Sequence, residues 1–365
     1  MSGGPLARAD AGRAVYCAPM LVERVAEPGA EWDAFVESAP GATLGHAAAW
    51  AAVVREAYGL EPLYLAARDA AGALQGVLPL VRFRTLTGAR ELVSMPFLDA
   101  GGILASDDAA EAALREAALG EARAWGARAL ELRQWAPLRA GPAAPASGRV
   151  DLVLPLAGDE DALWASLPAK VRNQTRKATR EGLMPAPEDA ADLALRFYTP
   201  FRVNMRDLGS PVHALAFYEA IARAFGSRVR FVVAQDGDRP VGGLVAIRYA
   251  GIVTVPWAST LRAERARCPN NLLYWEALRW AIRSAARAFD FGRSPPGSGT
   301  HRFKLGWGAA EWPLAWLRLD PAGAVLHEPA GAGGGALRRL ASLWSRLPVP
   351  IASALGPRLR CRLSQ

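Results

Sequence analysis

The hydrophobic pattern along this chain passes through one order of elements twice. Residues 29–39 and 46–57 carry apolar positions at helical spacing and predict two short helices. LYLAARD at 63–69, a polar turn and LQGVLPLVRF at 74–83 predict a hairpin. A third strand, ELVSMPF, stops before Gly101-Gly102; a helix at 107–126 and the strand ALELRQW at 129–135 complete the series. A second series opens with a strand at 150–156 and helices at about 159–181, 188–207 and 213–226. VRFVVAQD at 229–236, a turn and PVGGLVAIRY at 240–249 form its hairpin. IVTVPWAS at 252–259, a helix at 271–288 and FDFG at 289–292 follow.

The two hairpins align, with Asp69 near Asp236 and Gly76 near Gly242, which implies an internal repeat of about 165 residues. Their apolar runs are almost unbroken, as in strands covered on both faces. Asp and Gly in each turn suit the backbone angles of a tight hairpin. The expected organisation is an N-terminal tail with a first strand at 1–24 and an α/β domain at 25–148. A second α/β domain carrying the main site follows at 149–320, then a linker and basic amphipathic tail at 321–365. GPAAPASG at 141–148 reads as the joint between the domains and PAGAGGG at 329–335 as a spacer.

Charge sharpens this picture at its end. The chain of 365 residues has a net charge of +8, yet six arginines and no acid lie between Pro329 and Gln365. The basicity is therefore mostly a property of the tail. There ALRRLASLWSRL places Leu337, Leu340, Leu343, Trp344 and Leu347 on one helix face, flanked by Arg338, Arg339 and Arg346. Such a helix suits either an anionic membrane surface or docking on the protein itself. Of the 43 basic residues only Lys170, Lys177 and Lys304 are lysines.

Several chemistries are excluded. The three cysteines are odd in number and far apart, which argues against a disulfide framework or zinc ribbon and fits a reducing compartment. The chain lacks H-E-x-x-H, C-x-x-C, a Walker loop and a G-x-S-x-G elbow, and its four histidines have no ligand spacing. No metal is expected. No transmembrane run or secretory signal is visible.

Three stretches carry candidate chemistry. Pro168 to Arg180 forms a helix with Leu167, Val171, Thr175 and Ala178 on one face. Lys170, Arg172, Arg176, Lys177 and Arg180 sweep round the other, without an acid. This half-cylinder, which also holds Asn173, suits a polyanion; the plainer reading is a solvated face. In Arg267-Cys-Pro-Asn-Asn-Leu-Leu-Tyr-Trp-Glu276, Asn270 is expected as the helix N-cap, with Asn271 beside it. Tyr274 follows as core or ligand contact. Asp290 to Gly308 leaves a strand through a loop of Gly, Pro and Ser, where α/β proteins bind ligands. Arg293, Ser294, Ser298 and Thr300 supply donors there, and Lys304 a fixed cation.

At these residues the chain resembles the FemAB-like acyltransferases of the GNAT superfamily, and among them the subgroup associated with the exosortase/PEP-CTERM system. DFGRSPPGSGTHRFKLGWG looks like that group's D-F-G-R-S … G-x-x-x-F-K-x-x-W-G signature, which includes Phe303, Lys304 and Trp307. LPAKVRNQTRKATREGL, CPNNLLYWEAL and SRLPVPIASALGPRL resemble it less sharply. The resemblance implies tandem GNAT-like domains, each a mixed central sheet flanked by helices. It implies transfer of an acyl or aminoacyl group to an amine of a cell-envelope or exopolysaccharide precursor. The donor would be acyl-CoA or aminoacyl-tRNA, with no tightly bound cofactor. The acceptor would be a small-molecule or lipid-linked amine, in the cytoplasm or at the inner face of the membrane. A decayed, non-catalytic module that binds anionic glycan or lipid is the alternative.

In this reading Lys304 stabilises the reacting carbonyl and Asp290 or Glu276 helps take the proton, unless these acids are structural. Arg172, Arg176, Lys177 and Arg206 hold phosphates. Trp257, Asn270, Asn271, Tyr274, Arg293, Ser294, Ser298, Thr300, Phe303 and Trp307 complete the expected site.

Overall fold

The computed structural model describes residues 20–139, 141–144, 148–327 and 334–364. Most of the N-terminal tail and of the 329–335 spacer, and part of the 141–148 joint, lie outside that range. The first half runs β1 (Leu21–Val25), α1 (Ala30–Ser38), α2 (Trp50–Tyr58), β2 (Glu61–Arg68), β3 (Leu74–Arg84), β4 (Arg90–Ser94), β5 (Leu104–Ala105), α3 (Asp108–Trp125) and β6 (Ala129–Gln134). The second runs β7 (Val150–Pro155), α4 (Glu160–Ser166), α5 (Ala169–Arg180), β8 (Leu183–Pro185), α6 (Leu193–Asp207), α7 (Leu215–Phe225), β9 (Val229–Asp236), β10 (Arg239–Tyr249), β11 (Ile252–Thr260), α8 (Pro269–Arg283) and β12 (Ala288–Ser294). Then come α9 (Gly299–Leu305), β13 (Ala310–Pro313), β14 (Ala315–Leu319), α10 (Gly334–Trp344) and α11 (Val349–Arg360). Within the helical span 159–181, Pro168, which has no N–H to continue a helix, separates α4 from α5, and α5 is the helix read from Pro168 to Arg180.

Two mixed sheets result, ordered β1-β2-β3-β4-β6-β14 and β13-β7-β12-β11-β10-β9-β8, with β5 beside β3. Both hairpins and both crossovers occupy equivalent places. β4–α3–β6 and β11–α8–β12 are each parallel pairs joined by a helix. The unbroken apolar runs are explained by burial on both faces. In β2 and β3, Tyr64, Val77 and Val81 face one core while Leu63, Leu65, Leu78 and Leu80 face another. In β9, Phe231 and Val233 alternate in the same way with Val232 and Ala234. Between the sheets lies a layer built from both halves: Trp50 packs on Phe225 with ring centroids 5.0 Å apart, and Tyr58 stacks on Phe217 at 5.5 Å.

One strand crosses between the halves. β7 opens the second half and lies antiparallel to β12 within its sheet, whereas β14 returns from the second half to lie antiparallel to β6 of the first. The last strand of the 149–320 segment therefore belongs to the first sheet.

The tail docks on the second half and reaches the first, where Phe97 N–H donates to Ser364 O at 2.8 Å. α10 seats Ala341 against Gly209, whose φ of +72° and close contact leave no room for a Cβ. Arg206 donates to the Leu347 carbonyl at 2.9 Å. On α11 the i, i+4, i+8 series Ala352, Gly356 and Arg360 turns inward. Among the described residues no helix is long and apolar enough to cross a membrane.

Candidate active site

The parallel pair β11 and β12 is joined only at Ile252–Thr254 against Ala288–Asp290. Beyond it both strands bulge. Val255 and Pro256 together oppose Ala246, and Phe291 and Gly292 together oppose Leu152. A bulge bends its strand, so the pair splays into a wedge that opens at the strands' carboxyl ends. Gly292 sits at φ +75°, and a Cβ there would lie 2.9 Å from the Val255 carbonyl oxygen. Only glycine meets both demands.

The equivalent wedge of the first half is filled by its own chain. Gly101 N–H donates to Arg133 O at 3.0 Å and Ile103 N–H to the Gln134 side chain at 2.6 Å. A Cβ on Gly102 would fall 1.4 Å from that side-chain oxygen, so the glycine pair is what lets the segment in.

The second wedge leads into a cavity of about 300 Å³ between the halves. β11 contributes Trp257, α8 Tyr274, the end of β12 Arg293 and Ser294, and α9 Thr300 and Lys304. The first half adds Phe97, Leu98, Asp99 and Arg133, and the tail adds Arg360. Lys304 is 7% exposed; its ammonium donates to the carbonyls of Gly292 at 2.8 Å and Arg293 at 3.0 Å. An ammonium has three donors, so one N–H remains beyond these two bonds.

Two buried carboxylates surround that ammonium. Asp290 accepts from Gly292 N–H at 2.7 Å, while one Asp151 oxygen has no hydrogen-bond partner. Burial pushes Asp290 up to about 6, against the opposing bond from Gly292. Burial, reinforced by Asp290, drives Asp151 well above the ordinary carboxylate range. Burial also lowers the Lys304 ammonium, which the three aspartates 151, 290 and 99 partly restore. Groups whose environments shift them this way mark a place where protons can move near neutral pH. At the rim Arg293 pairs with Asp99 at 3.0 Å and lies over Trp316 of the crossing strand β14, 5.2 Å from its centroid.

The structure brings Lys304, Asp290, Trp257, Tyr274, Arg293, Ser294 and Thr300 together at this cavity and its floor. Other expected residues fall elsewhere. Glu276 points away along α8 and pairs with Arg279, three residues on, at 3.2 Å. Arg206 is occupied by Asp207 and Leu347 O, so it anchors the tail. Lys170, Arg172, Asn173, Arg176 and Lys177 on α5 do not line the cavity, because α5 packs along α8. Arg176 instead lies over the Trp164 ring. Asn270 is not a cap: Cys268, at φ +58°, takes that position and Pro269 starts the helix. Asn271 is buried with its side-chain nitrogen unpartnered. Ser298 caps α9 through His301 N–H, and Phe303 and Trp307 pack behind Lys304 around Tyr274.

Sequence reasoning missed Asp151, Asp99, Arg133 and Arg360. Asp151 carried a legible signal, an acid inside the apolar strand Val-Asp-Leu-Val-Leu. Among the described residues no group of three or more His, Cys, Asp or Glu is placed to hold a metal ion.

Residues 165–305 match the family model described as an acetyltransferase (GNAT) domain. The chain is similar in structure to FemX, with a TM-score of 0.62 at 15% identity over 78% of this chain and 93% of that one. A tandem GNAT protein from the clavulanic acid biosynthesis pathway gives 0.51 at 13% identity over 83% and 98%. The protein has a tandem GNAT fold. A third structure of this kind is the C-terminal domain of a putative lysylphosphatidylglycerol synthetase from Agrobacterium fabrum, with 0.52 at 14% identity over 81% and 91%. No curated protein sequence matches the chain. Within the tandem GNAT fold the matched region spans the splayed strands and ends just past Lys304, so it covers the open wedge and not the filled one.

Proposed function

We propose that the protein is a FemAB-like N-acyltransferase that moves an acyl or aminoacyl group onto an amine of a cell-envelope or exopolysaccharide precursor. The observation that carries this reading is the buried Lys304–Asp151–Asp290 cluster on the floor of the splayed wedge. The donor carbonyl enters between β11 and β12, and the amine approaches from the cavity. A carbon–nitrogen bond forms as the thioester C–S or ester C–O bond breaks. The remaining Lys304 N–H faces the developing oxyanion, the type of contact that lowers such barriers. The amine proton passes to Asp290, whose raised pKa suits it to accept and release a proton near neutrality. Alignment by the two walls supplies the rest.

Both donor classes fit parts of this reading. The wedge suits an acyl-CoA thioester. The five α5 cations, which form no ion pair among the described residues, suit the backbone of a charged tRNA. The acceptor's place, in this reading, is the cytoplasm at the inner face of the membrane.

The test is a two-step measurement. Thermal-shift titration with acyl-CoA thioesters and with aminoacyl-tRNA identifies the donor, and amine acylation is then followed with that donor. Lys304→Ala is expected to retain its circular dichroism and lose roughly 10²-fold in turnover, as for loss of one oxyanion donor. Unchanged turnover removes Lys304 from the chemistry. Stabilisation by anionic glycans alone would favour a binding module.

A further inference from the structure

The sequence pattern gives the tail an apolar face, and docking would be expected to bury it. The structure does so only in part: Trp344 and Leu347 are half-buried. α10 meets the protein through Ala341, while Leu340 and Leu343 stay 61% exposed. α11 turns Ala352, Gly356 and Arg360 inward and leaves Ile351 and Leu355 47% and 42% exposed. Leu208, next to the glycine on which α10 sits, is 59% exposed. Of the eleven exposed large apolar side chains among the described residues, these five belong to the tail or its seat. Arg338, Arg339, Arg346, Arg358 and Arg362 are exposed on the same segment, where no acid occurs from Pro329 to Gln365.

We infer that the docked tail is a peripheral membrane-binding surface, which lays Leu340, Leu343, Ile351 and Leu355 into the interface of an anionic phospholipid bilayer. Apolar side chains bordered by arginine are the composition of interfacial helices, and anionic headgroups supply the negative charge that the segment lacks. A second copy of the chain fits poorly. A two-fold contact would set arginines against arginines with no acid to separate them. A nucleic acid would satisfy the arginines and leave the leucines in water. The surface is also tied to the crevice: the helix that exposes Ile351 and Leu355 directs Arg360 into the cavity, and the turn between α10 and α11 is held by Arg206. Lipid contact would therefore bring the cavity to the bilayer surface. The inference stands whichever donor the wedge takes.

The experiment is co-sedimentation of the full chain with vesicles of phosphatidylcholine alone and of phosphatidylcholine mixed with phosphatidylglycerol, at low and high salt. Binding is expected with the mixed vesicles only, and it should decline as salt screens the arginines. The double variant L340D/L343D is expected to bind at least ~10-fold more weakly, since two leucines no longer leave water. The triple variant R339Q/R346Q/R358Q should lose the preference for anionic lipid. All these positions are exposed, so melting temperatures should match the wild type and exclude misfolding. Three results overturn the inference: no binding to mixed vesicles, equal binding by wild type and L340D/L343D, or a dimer in sedimentation velocity that this variant abolishes while vesicles are ignored.

Discussion

Arg360, near the C-terminus, donates its Nε–H to Nε2 of His213 at 3.0 Å. That bond fixes the tautomer: His213 keeps its proton on Nδ1 and donates it to the Tyr58 hydroxyl at 2.6 Å. Three segments, α2, the α6–α7 connection and α11, thus meet at one imidazole that must stay neutral. Burial, and then the adjacent guanidinium, hold its pKa well below the usual value.

Acid should therefore loosen this junction. A base whose folded pKa is depressed contributes stability above its unfolded value, about 6.5, and loses it as pH falls below that value. His213 loses roughly 1.4 kcal/mol per pH unit over this range. His46, pushed down to about 4 by burial, acts in the same direction. Asp290 acts oppositely, because its raised pKa costs stability as pH rises toward about 6. The clean measurement is the difference in melting temperature between the wild type and His213→Asn from pH 7.5 to 5, values chosen to bracket the unfolded pKa of about 6.5. The variant should show the shallower decline; parallel curves would mean that His213 does not govern acid stability.

The pH dependence of acylation tests the buried acids. If Asp290 accepts the amine proton, its carboxylate must form first, so kcat should rise as pH passes through about 6. Asp290→Asn should flatten that limb and lower the rate by roughly 10²- to 10⁴-fold. Removing the cation in Lys304→Ala should move the limb to higher pH, since both carboxylates then lose their neighbouring positive charge. A limb in the same place in wild type and Lys304→Ala would separate the ammonium from the acids.

On α5, R172Q/R176Q/K177Q removes no ion pair among the described residues, so melting should fall only slightly, by the loss of the Arg176 contact over Trp164. Nearby Arg267, Arg279 and Arg283 are all ion-paired. If the helix takes a nucleic-acid backbone, affinity for uncharged tRNA should fall and the log K against log salt slope should lessen by roughly 3. An unaltered slope would make α5 a solvated face and favour a small thioester donor.

The repeat was legible because buried strands write unbroken apolar runs, and two such hairpins lie about 165 residues apart. The crossing of β14 was not, since it is a short strand and its choice of sheet depends on an edge, β6, far away in sequence. Likewise Lys304, Asp290, Arg293 and Ser294 were legible as one polar loop after a strand. Asp99, Arg133 and Arg360 join them only through contacts with another half or with the tail. The cationic helix misled for the opposite reason: helical spacing says which residues share a face, but not which way that face looks.

The crossing strand bears on how such a chain can be dismantled. Cut after residue 148, the first half loses β14 and leaves β6 as a bare edge, with its backbone donors and acceptors open to aggregation. Cut before it, the second half keeps its sheet but strands β14 without one, and Trp50 no longer covers Phe225 and Trp257. Neither fragment is a closed fold. A chain nicked in the connection should stay assembled and melt in a single transition, and the half whose wedge is filled cannot be shed without unravelling the half whose wedge is open.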